Sequence, residues 1–374
     1  MEIIHVVLGK ANPERMNGVN KVVHELASHQ AASGHAVSVW GLASDLEHNY
    51  APRCYTTRLF IKPGWAFGLP AALKKALRSV SRDTVFHLHG GFLPPMYRLS
   101  RLLKQLGFPF VLTPHGSYNV LAMKKNALAK QVYSRLFEQH LLNRAAVIHV
   151  LGASEMDSLT AWNRNWRVVQ IPYGFETDVN AVSAARKPGQ PFVVGFCGRM
   201  DIYTKGLDAL LEGFTMFHRE HPQSELHVIG DGAEMHTFKQ MVDRGGAAPA
   251  VVLHGAKYGD EKQALLQRFD VFAHPSRNEG LPTAVLEAAA AGIPCLVTRA
   301  TNTGDVVETF DAGWVMEHTT GQEVYEGLTI LLGKIPQEQS RTNIGARAHR
   351  MVREMFNWQA ILQRYHAMYQ SISL

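Results

Sequence analysis

The chain has 374 residues, 46% hydrophobic and 19% charged, which excludes wholesale disorder and leaves room for two domains of ~100–200 residues, each with its own core. The formal charge of +6 is uneven: residues 1–178 hold 20 Lys+Arg against 11 Asp+Glu, and residues 179–374 hold 18 against 21. Three distant cysteines, Cys54, Cys197 and Cys295, form no C-x-x-C pair, which argues against a disulfide framework or a zinc site and suits three buried thiols in a reducing cytoplasm.

The chain enters a strand-like run over 3–8 with no basic leader, and no apolar run approaches the ~18–20 residues that span a bilayer, so a cytoplasmic location is expected. A loop over 9–18 follows, with Gly18 at the entry to a helix over 19–32, where the missing side chain lets a ligand approach the backbone. Val19, Val22, Val23, Leu26 and Ala27 recur at helical spacing, and Gly34 ends the helix. Further strands are expected over 36–42, 84–88, 108–112, 145–150 and 168–171. Neither G-x-G-x-x-G nor G-x-x-x-x-G-K-[ST] occurs, which disfavours dinucleotide and P-loop readings.

Between 62 and 144 stand 13 basic residues and only two acidic ones, Asp83 and Glu138. Leucines interleave with cations over 70–82 and 96–108, and Lys124, Lys125, Lys130 and Arg135 add to the set. Such a face suits a polyanion or an anionic membrane, and it reads equally as a solvated basic surface. No recognised motif accompanies it, so nucleic acid is not an expected partner.

A polar, Pro- and Gly-containing stretch over 178–190 marks the break between halves. Strands then follow over 192–196, 226–229, 251–253, 271–273 and 294–297, with helices over 206–218, 233–242, 261–268, 283–291 and 305–310. This alternation places the chain in the α/β class, with parallel sheets flanked by helices.

Two segments of the second half are rich in chemistry. Gly198-Arg199-Met200-Asp201-Ile202-Tyr203-Thr204-Lys205-Gly206 follows a strand and opens a helix, so Arg199 and Lys205 face the crevice where α/β sheets bind ligands. A guanidinium fork and a point charge together hold a diphosphate, or they are ordinary surface charge. Downstream, Glu279 lies in a turn, Pro282 sits at the start of a helix, and Glu287 stands eight residues after Glu279. Backbone N–H groups of Gly280 and Leu281 at that helix start suit phosphate, and the two carboxylates suit sugar hydroxyls on either side of it. The bland alternative is a helix with an acidic first turn.

These segments, in this order, resemble the retaining glycosyltransferases of family 4, which have the GT-B fold. The resemblance covers nearly the whole chain. Its most specific element is the E-x7-E pair Glu279/Glu287 within NEGLPTAVLEA. GRMDIYTKGLD matches the family's G-R-…-K-G-L segment, and Ile229-Gly230-Asp231-Gly232 matches its second glycine-rich turn. AAVIHVLGASE, Pro172-Tyr173-Gly174 and Phe356-Asn357-Trp358 match its inter-domain approach and its final helix. Two departures stand out: the family's paired glycine is Asn17-Gly18 here, and its Asn-Gly-Val-Asp turn is Tyr173-Gly174-Phe175-Glu176.

The resemblance implies two Rossmann-like, doubly wound domains facing a central cleft. They are an acceptor domain over 1–180 and a donor domain over 190–355, with a helix over 356–374 crossing back to the first. It implies that Arg199 and Lys205 bind the donor diphosphate and that Glu287 binds the ribose. Glu279 would hold the donor sugar, with Gly280 and Leu281 on sugar or phosphate. Gly18 would lie against the phosphates, and His115 would face the sugar. The implied reaction retains configuration, moving a hexose-type sugar from a nucleotide-diphosphate donor to a saccharide or lipid-linked acceptor. Family habit and the basic face point to bacterial cell-envelope polysaccharide assembly, with peripheral contact on the inner face of the plasma membrane. Alternatives are a nucleotide-sugar epimerase or hydrolase on the same fold, or a non-catalytic nucleotide-sugar-binding protein.

His87 and His89 stand at strand spacing and face one side, as a metal pair would, but no third ligand stands at a telling spacing. His89 reads instead as a residue lining the acceptor cleft. The chain has no D-x-D, and Arg199 and Lys205 supply positive charge, so no metal and no cofactor beyond the donor are expected.

Overall fold

The structure is a computed structural model that describes residues 1–12, 18–47, 51–124, 126–176, 189–334 and 338–373. The chain divides into two compact units. Unit 1 is Met1–Gly174 with Trp358–Leu374, and unit 2 is Phe175–Asn357. Most of the break expected over 178–190 lies outside the described residues, as does Asn17.

Among its described residues unit 1 holds seven strands: β1 (Glu2–Leu8), β2 (Ala36–Ala43), β3 (Thr56–Ile61), β4 (Thr84–His89), β5 (Phe110–Thr113), β6 (Val147–Val150) and β7 (Val168–Gln170). They form one parallel sheet in the order β3-β2-β1-β4-β5-β6-β7. The central strands are apolar on both faces because helices cover both. The period of two sends Ile4, Val6, Phe86, Leu88, Phe110, Leu112 and Ile148 to one face, where Leu99 and Leu103 of helix Pro94–Leu106 meet them. On the other face Ile3, Val85, Val111 and Val147 pack with Leu26 of helix Gly18–Ala32 and with Ile361, Tyr365 and Tyr369 of helix Trp358–Gln370. The register sets His5 opposite His87 and His89 opposite Thr113, so a polar row follows the apolar one toward the carboxyl ends of the strands.

Among its described residues unit 2 holds six: β8 (Phe192–Cys197), β9 (Ser224–Ile229), β10 (Val251–Gly255), β11 (Val271–His274), β12 (Cys295–Thr298) and β13 (Gly313–Met316). Their order is β10-β9-β8-β11-β12-β13, all parallel. The connection leaves β8 toward β9 on one side and returns to β11 on the other, which makes the carboxyl ends of β8 and β11 a topological switch point.

Three expectations need correction. Edge strands β3 and β13 were not expected: β3 exposes much of its length and β13 has four residues, so neither carries the buried β-branched run of a central strand. Helices Gly321–Lys334 and Glu338–Met355 also lie, unexpected, between the helices expected over 305–310 and 356–374. The cysteines are free but not uniformly buried: Cys295 is buried, Cys197 half-buried and Cys54 exposed in the loop before β3. Among the described residues, no helix is long and apolar enough to cross a membrane.

Candidate functional site

Glycine brings the loops of unit 2 together. Gly230 has φ +156°, and a Cβ there would lie 1.9 Å from the Gly198 carbonyl oxygen, so the turns after β8 and β9 touch backbone to backbone. Asp201 caps the short helix Ile202–Lys205 by accepting the Thr204 N–H at 3.1 Å. Gly206 ends it at φ +67°, where a Cβ would lie 2.0 Å from the Pro275 carbonyl oxygen. The loop after β8 thus lies directly against the loop after β11.

A charged cluster joins those loops. Lys205 Nζ donates to Glu279 Oε1, which also accepts from His274 Nε2 at 2.9 Å and Ser276 Oγ at 3.2 Å. Burial opposes ionisation of Glu279. The His274 hydrogen bond and the Lys205 charge outweigh it and hold the carboxyl down at about 2. Burial likewise keeps His274 below its ordinary value, so the neutral ring donates through Nε2. Arg277 fastens the two loops. Its Nη1 and Nη2 reach the Asp208 carboxylate at 2.7 and 2.9 Å, and its backbone N–H donates to the Thr204 carbonyl at 2.9 Å. Asn302 Nδ2 donates to the carbonyls of Glu279 at 2.8 Å and Gly280 at 2.9 Å, which fixes the turn.

Of the residues picked from sequence, Lys205 and Glu279 are therefore in direct contact. Arg199 is 66% exposed, 3.5 Å from Asp201. Gly280 and Leu281 lead into helix Thr283–Ala290, which begins one residue after Pro282. Glu287 in that helix accepts from Lys262 Nζ at 2.6 Å and is mostly buried. Gly18 is exposed at the first position of its helix. Sequence reasoning missed His274, Ser276, Arg277, Lys262 and Asn302. His274, Ser276 and Arg277 stand in plain sight within HPSRNEG, but the partners Lys262 and Asp208 are 25 and 69 residues from the groups they meet.

His89 and His115 lie in unit 1. His89 is 2% exposed and both its ring nitrogens are bonded, Nε2 to His5 at 3.0 Å and Nδ1 to His115 at 2.9 Å. Its ring faces a polar interior rather than a cleft wall. His115 has φ +55°, in the left-handed region, and its Nδ1 accepts from the Tyr173 hydroxyl at 2.6 Å. Register supplies the third imidazole that spacing did not reveal: His5, His87 and His89 have ligating atoms within 4.8 Å of one another. Neutral rings like these are the metal-binding form, but the same nitrogens already hold hydrogen bonds.

Comparison with known proteins places this geometry in a family. The model described as "Glycosyl transferases group 1" matches residues 180–351, and "Glycosyl transferase 4-like domain" matches residues 17–174. The D-inositol 3-phosphate glycosyltransferase of Corynebacterium jeikeium is 24% identical over 282 residues, 69% of this chain and 66% of that relative's length. The GDP-mannose:cellobiosyl-diphosphopolyprenol alpha-mannosyltransferase of Xanthomonas campestris is 27% identical over 329 residues, 82% of this chain and 83% of that protein. In fold, the chain is similar to Anabaena Alr3699/HepE in complex with UDP, at a TM-score of 0.74 and 17% identity over 99% of this chain and 100% of that one. With two family models that together span most of its length and two parallel Rossmann-like sheets, the chain belongs to the group 1 glycosyltransferases of the GT-B fold.

Proposed function

We propose that this transferase moves a hexose-type sugar, with retention, from a nucleotide-diphosphate donor held by unit 2 to a hydroxyl of a saccharide or lipid-linked saccharide, in envelope polysaccharide assembly. The observation that carries the reading is the Lys205–Glu279–His274–Ser276 cluster at the switch point of the unit 2 sheet, where parallel sheets bind ligands. Lys205 has three N–H donors, and its bond to Glu279 uses one, so the others suit diphosphate oxygens. Exposed Arg199 adds a second cation, and the two together stabilise the departing nucleoside diphosphate without a metal. Glu287, held by Lys262, takes the ribose hydroxyls, and Glu279 takes those of the sugar. As the anomeric carbon–phosphate oxygen bond breaks, the acceptor oxygen bonds the same carbon on the same face. Its proton passes to the departing phosphate oxygen.

The relatives' names support a nucleotide-sugar donor and a lipid-diphosphate-linked acceptor, as in the Xanthomonas mannosyltransferase. Three exposed side chains, Leu128, Val132 and Leu136, support contact with an anionic membrane surface. They lie four residues apart along the helical run Ala127–Leu142, with exposed Lys124 and Arg135 beside them.

Thermal denaturation with UDP-, GDP- and ADP-sugars tests the donor site, because a ligand bound only by the native state raises Tm. A rise with one nucleotide series, lost in Glu287→Ala, is the expected result. No rise with any series overturns the donor assignment. Transfer to an added acceptor separates this reading from an epimerase or hydrolase.

A further inference from the structure

Unit 1 contains a polar assembly that the transfer chemistry does not use. It lies on the sheet face beneath helices Gly18–Ala32 and Trp358–Gln370, where His5, His87, His89 and His149 are buried and His115 is half-buried. Its hydrogen bonds form two arms that meet at Gln30, itself 1% exposed.

The Ile171 carbonyl at one end, and through it the Gln30 amide where the arms meet, fix the direction of every bond. A neutral imidazole has one donor and one acceptor, and a carbonyl oxygen only accepts. His5 Nε2–H therefore donates to Gln30 Oε1 at 2.7 Å, which leaves His5 Nδ1 to accept from His89 Nε2–H at 3.0 Å. His89 Nδ1 then accepts from His115 Nε2–H at 2.9 Å, and His115 Nδ1 accepts from the Tyr173 hydroxyl at 2.6 Å. In the second arm His149 Nε2–H donates to the Ile171 carbonyl at 2.7 Å, so its Nδ1 accepts from the Thr113 hydroxyl at 2.7 Å. Thr113 accepts from His87 Nε2–H at 2.5 Å, and His87 Nδ1 accepts from the Tyr369 hydroxyl at 2.8 Å. Tyr369 in turn accepts from Gln30 Nε2–H at 3.3 Å. The second arm, traced from the Ile171 carbonyl, thus fixes the orientation of the Gln30 amide from which the first arm runs.

Burial drives these rings toward neutrality: His5 and His149 fall to about 4, His115 to about 3, and His87 and His89 well below the ordinary value. The array does not conduct protons, because an amide stands where its arms meet and one arm ends on a peptide carbonyl. What it does is orient. His115 stands in a left-handed backbone conformation, and Gly116 beside it has φ +81°. The Glu155 carboxylate accepts from the Gly116 and Tyr118 N–H groups, so the loop is held from both sides.

We propose that Gln30 is a positioning residue which, through His5 and His89, holds His115 as the Nε2–H tautomer with its ring locked against Tyr173. It thereby sets the loop that carries His115 for the transfer. The last step rests on the transferase reading and on the placement of His115 near the sugar; the tautomer does not.

Nitrogen NMR of histidine-labelled full-length protein reads the tautomers directly. The expected wild-type spectrum at pH 7 shows His5, His89 and His115 neutral and protonated at Nε2. Gln30→Met removes the terminal acceptor and should turn His115 into a mixture of tautomers. Tyr173→Phe removes only a donor at the far end and should leave His115 as Nε2–H. Packing alone gives no such asymmetry. In the transfer assay Gln30→Met should lower kcat by about ten- to a hundredfold with the nucleotide-sugar thermal shift unchanged. An Nδ1–H or charged ring in the wild type, or a stoichiometric metal on His5, His87 and His89, overturns the proposal, even if Gln30→Met does not fold. Mixed tautomers with unchanged kcat overturn the positioning role. The expected tautomers in a protein that transfers no sugar leave the network standing and sink the transferase reading instead.

Discussion

In unit 1 the polar row at the sheet's carboxyl end is made of imidazoles, hydroxyls and one amide. In unit 2 the corresponding place holds a carboxylate bound to an ammonium. Both sheets are parallel and both rows are largely shielded from water, so fold does not decide which groups keep their charge. Compensation does. The five histidines of the network hydrogen-bond only to neutral groups and to each other, and desolvation strips them of protons. Glu279 is also buried, but a cation and two further donors face it, and it stays ionised. A neutral array suits orientation, and a charged one suits an incoming diphosphate.

Acid should break this comparison most visibly. The five histidines have folded values below the 6.5 of a free ring, so the stability they contribute is complete above pH 6.5 and is lost as pH falls toward 4. Each such ring weakens the fold by about 1.4 kcal/mol per pH unit in that window. Glu138 and Glu155 oppose this, because burial raises both carboxyls, Glu155 to about 7, and they stabilise the protonated fold. Two groups against five leave a net loss. Glu279 works in the same direction as the histidines but later, between 4.5 and about 2. Unit 1 should therefore unfold first. Trp40, Trp65, Trp162, Trp166 and Trp358 report on unit 1 and Trp314 on unit 2, so fluorescence should change near pH 5 while hydrogen exchange of β8 and β11 stays slow. A single transition of both units below pH 4 would show that the histidines are not buried as neutral rings.

The next effect sharpens the charged side. Lys205→Ala should lower turnover by about 10²- to 10³-fold, the usual cost of losing one donor at a developing charge. It also strands Glu279 without its cation, so stability should fall too. Adding Glu279→Gln to Lys205→Ala removes the stranded charge and should recover stability but not turnover. Recovery of both would make Lys205 a structural partner of Glu279 and nothing more.

The difference between the units also explains what the sequence disclosed. Glu279, Glu287, Arg199 and Lys205 were legible because charged residues at strand-to-helix turns stand out against apolar surroundings. Central strands were legible from β-branched runs. Edge strands β3 and β13 were not, since β3 is largely exposed and β13 is four residues with only its ends buried, although the edges β7 and β10 were. Of the histidine network only the His87/His89 pair and His115 stood out, and the rest was hidden for another reason. His5, Gln30, Thr113, His149 and Tyr369 have ordinary local spacing, and only parallel register and a returning C-terminal helix bring them together. Arg277 was missed in the same way, because its meaning depends on Asp208.

The smallest predicted effect concerns surfaces rather than interiors. The first half of the chain carries the cationic excess, and its run Ala127–Leu142 turns Leu128, Val132 and Leu136 outward at 80%, 59% and 55% exposure. Ser134, Glu138 and Leu141 of that run are buried, so the outward face is not the core-facing one. Apolar side chains flanked by cations suit the boundary of an anionic bilayer, where each Lys or Arg contributes about 1 kcal/mol. The protein should co-sediment with vesicles containing phosphatidylglycerol and not with phosphatidylcholine alone. Leu128→Ser with Val132→Ser should weaken that binding by about three- to tenfold and leave the nucleotide-sugar thermal shift of unit 2 unchanged. Equal sedimentation with neutral vesicles would detach the apolar face from the charge around it. No sedimentation with either would make this a solvated basic surface.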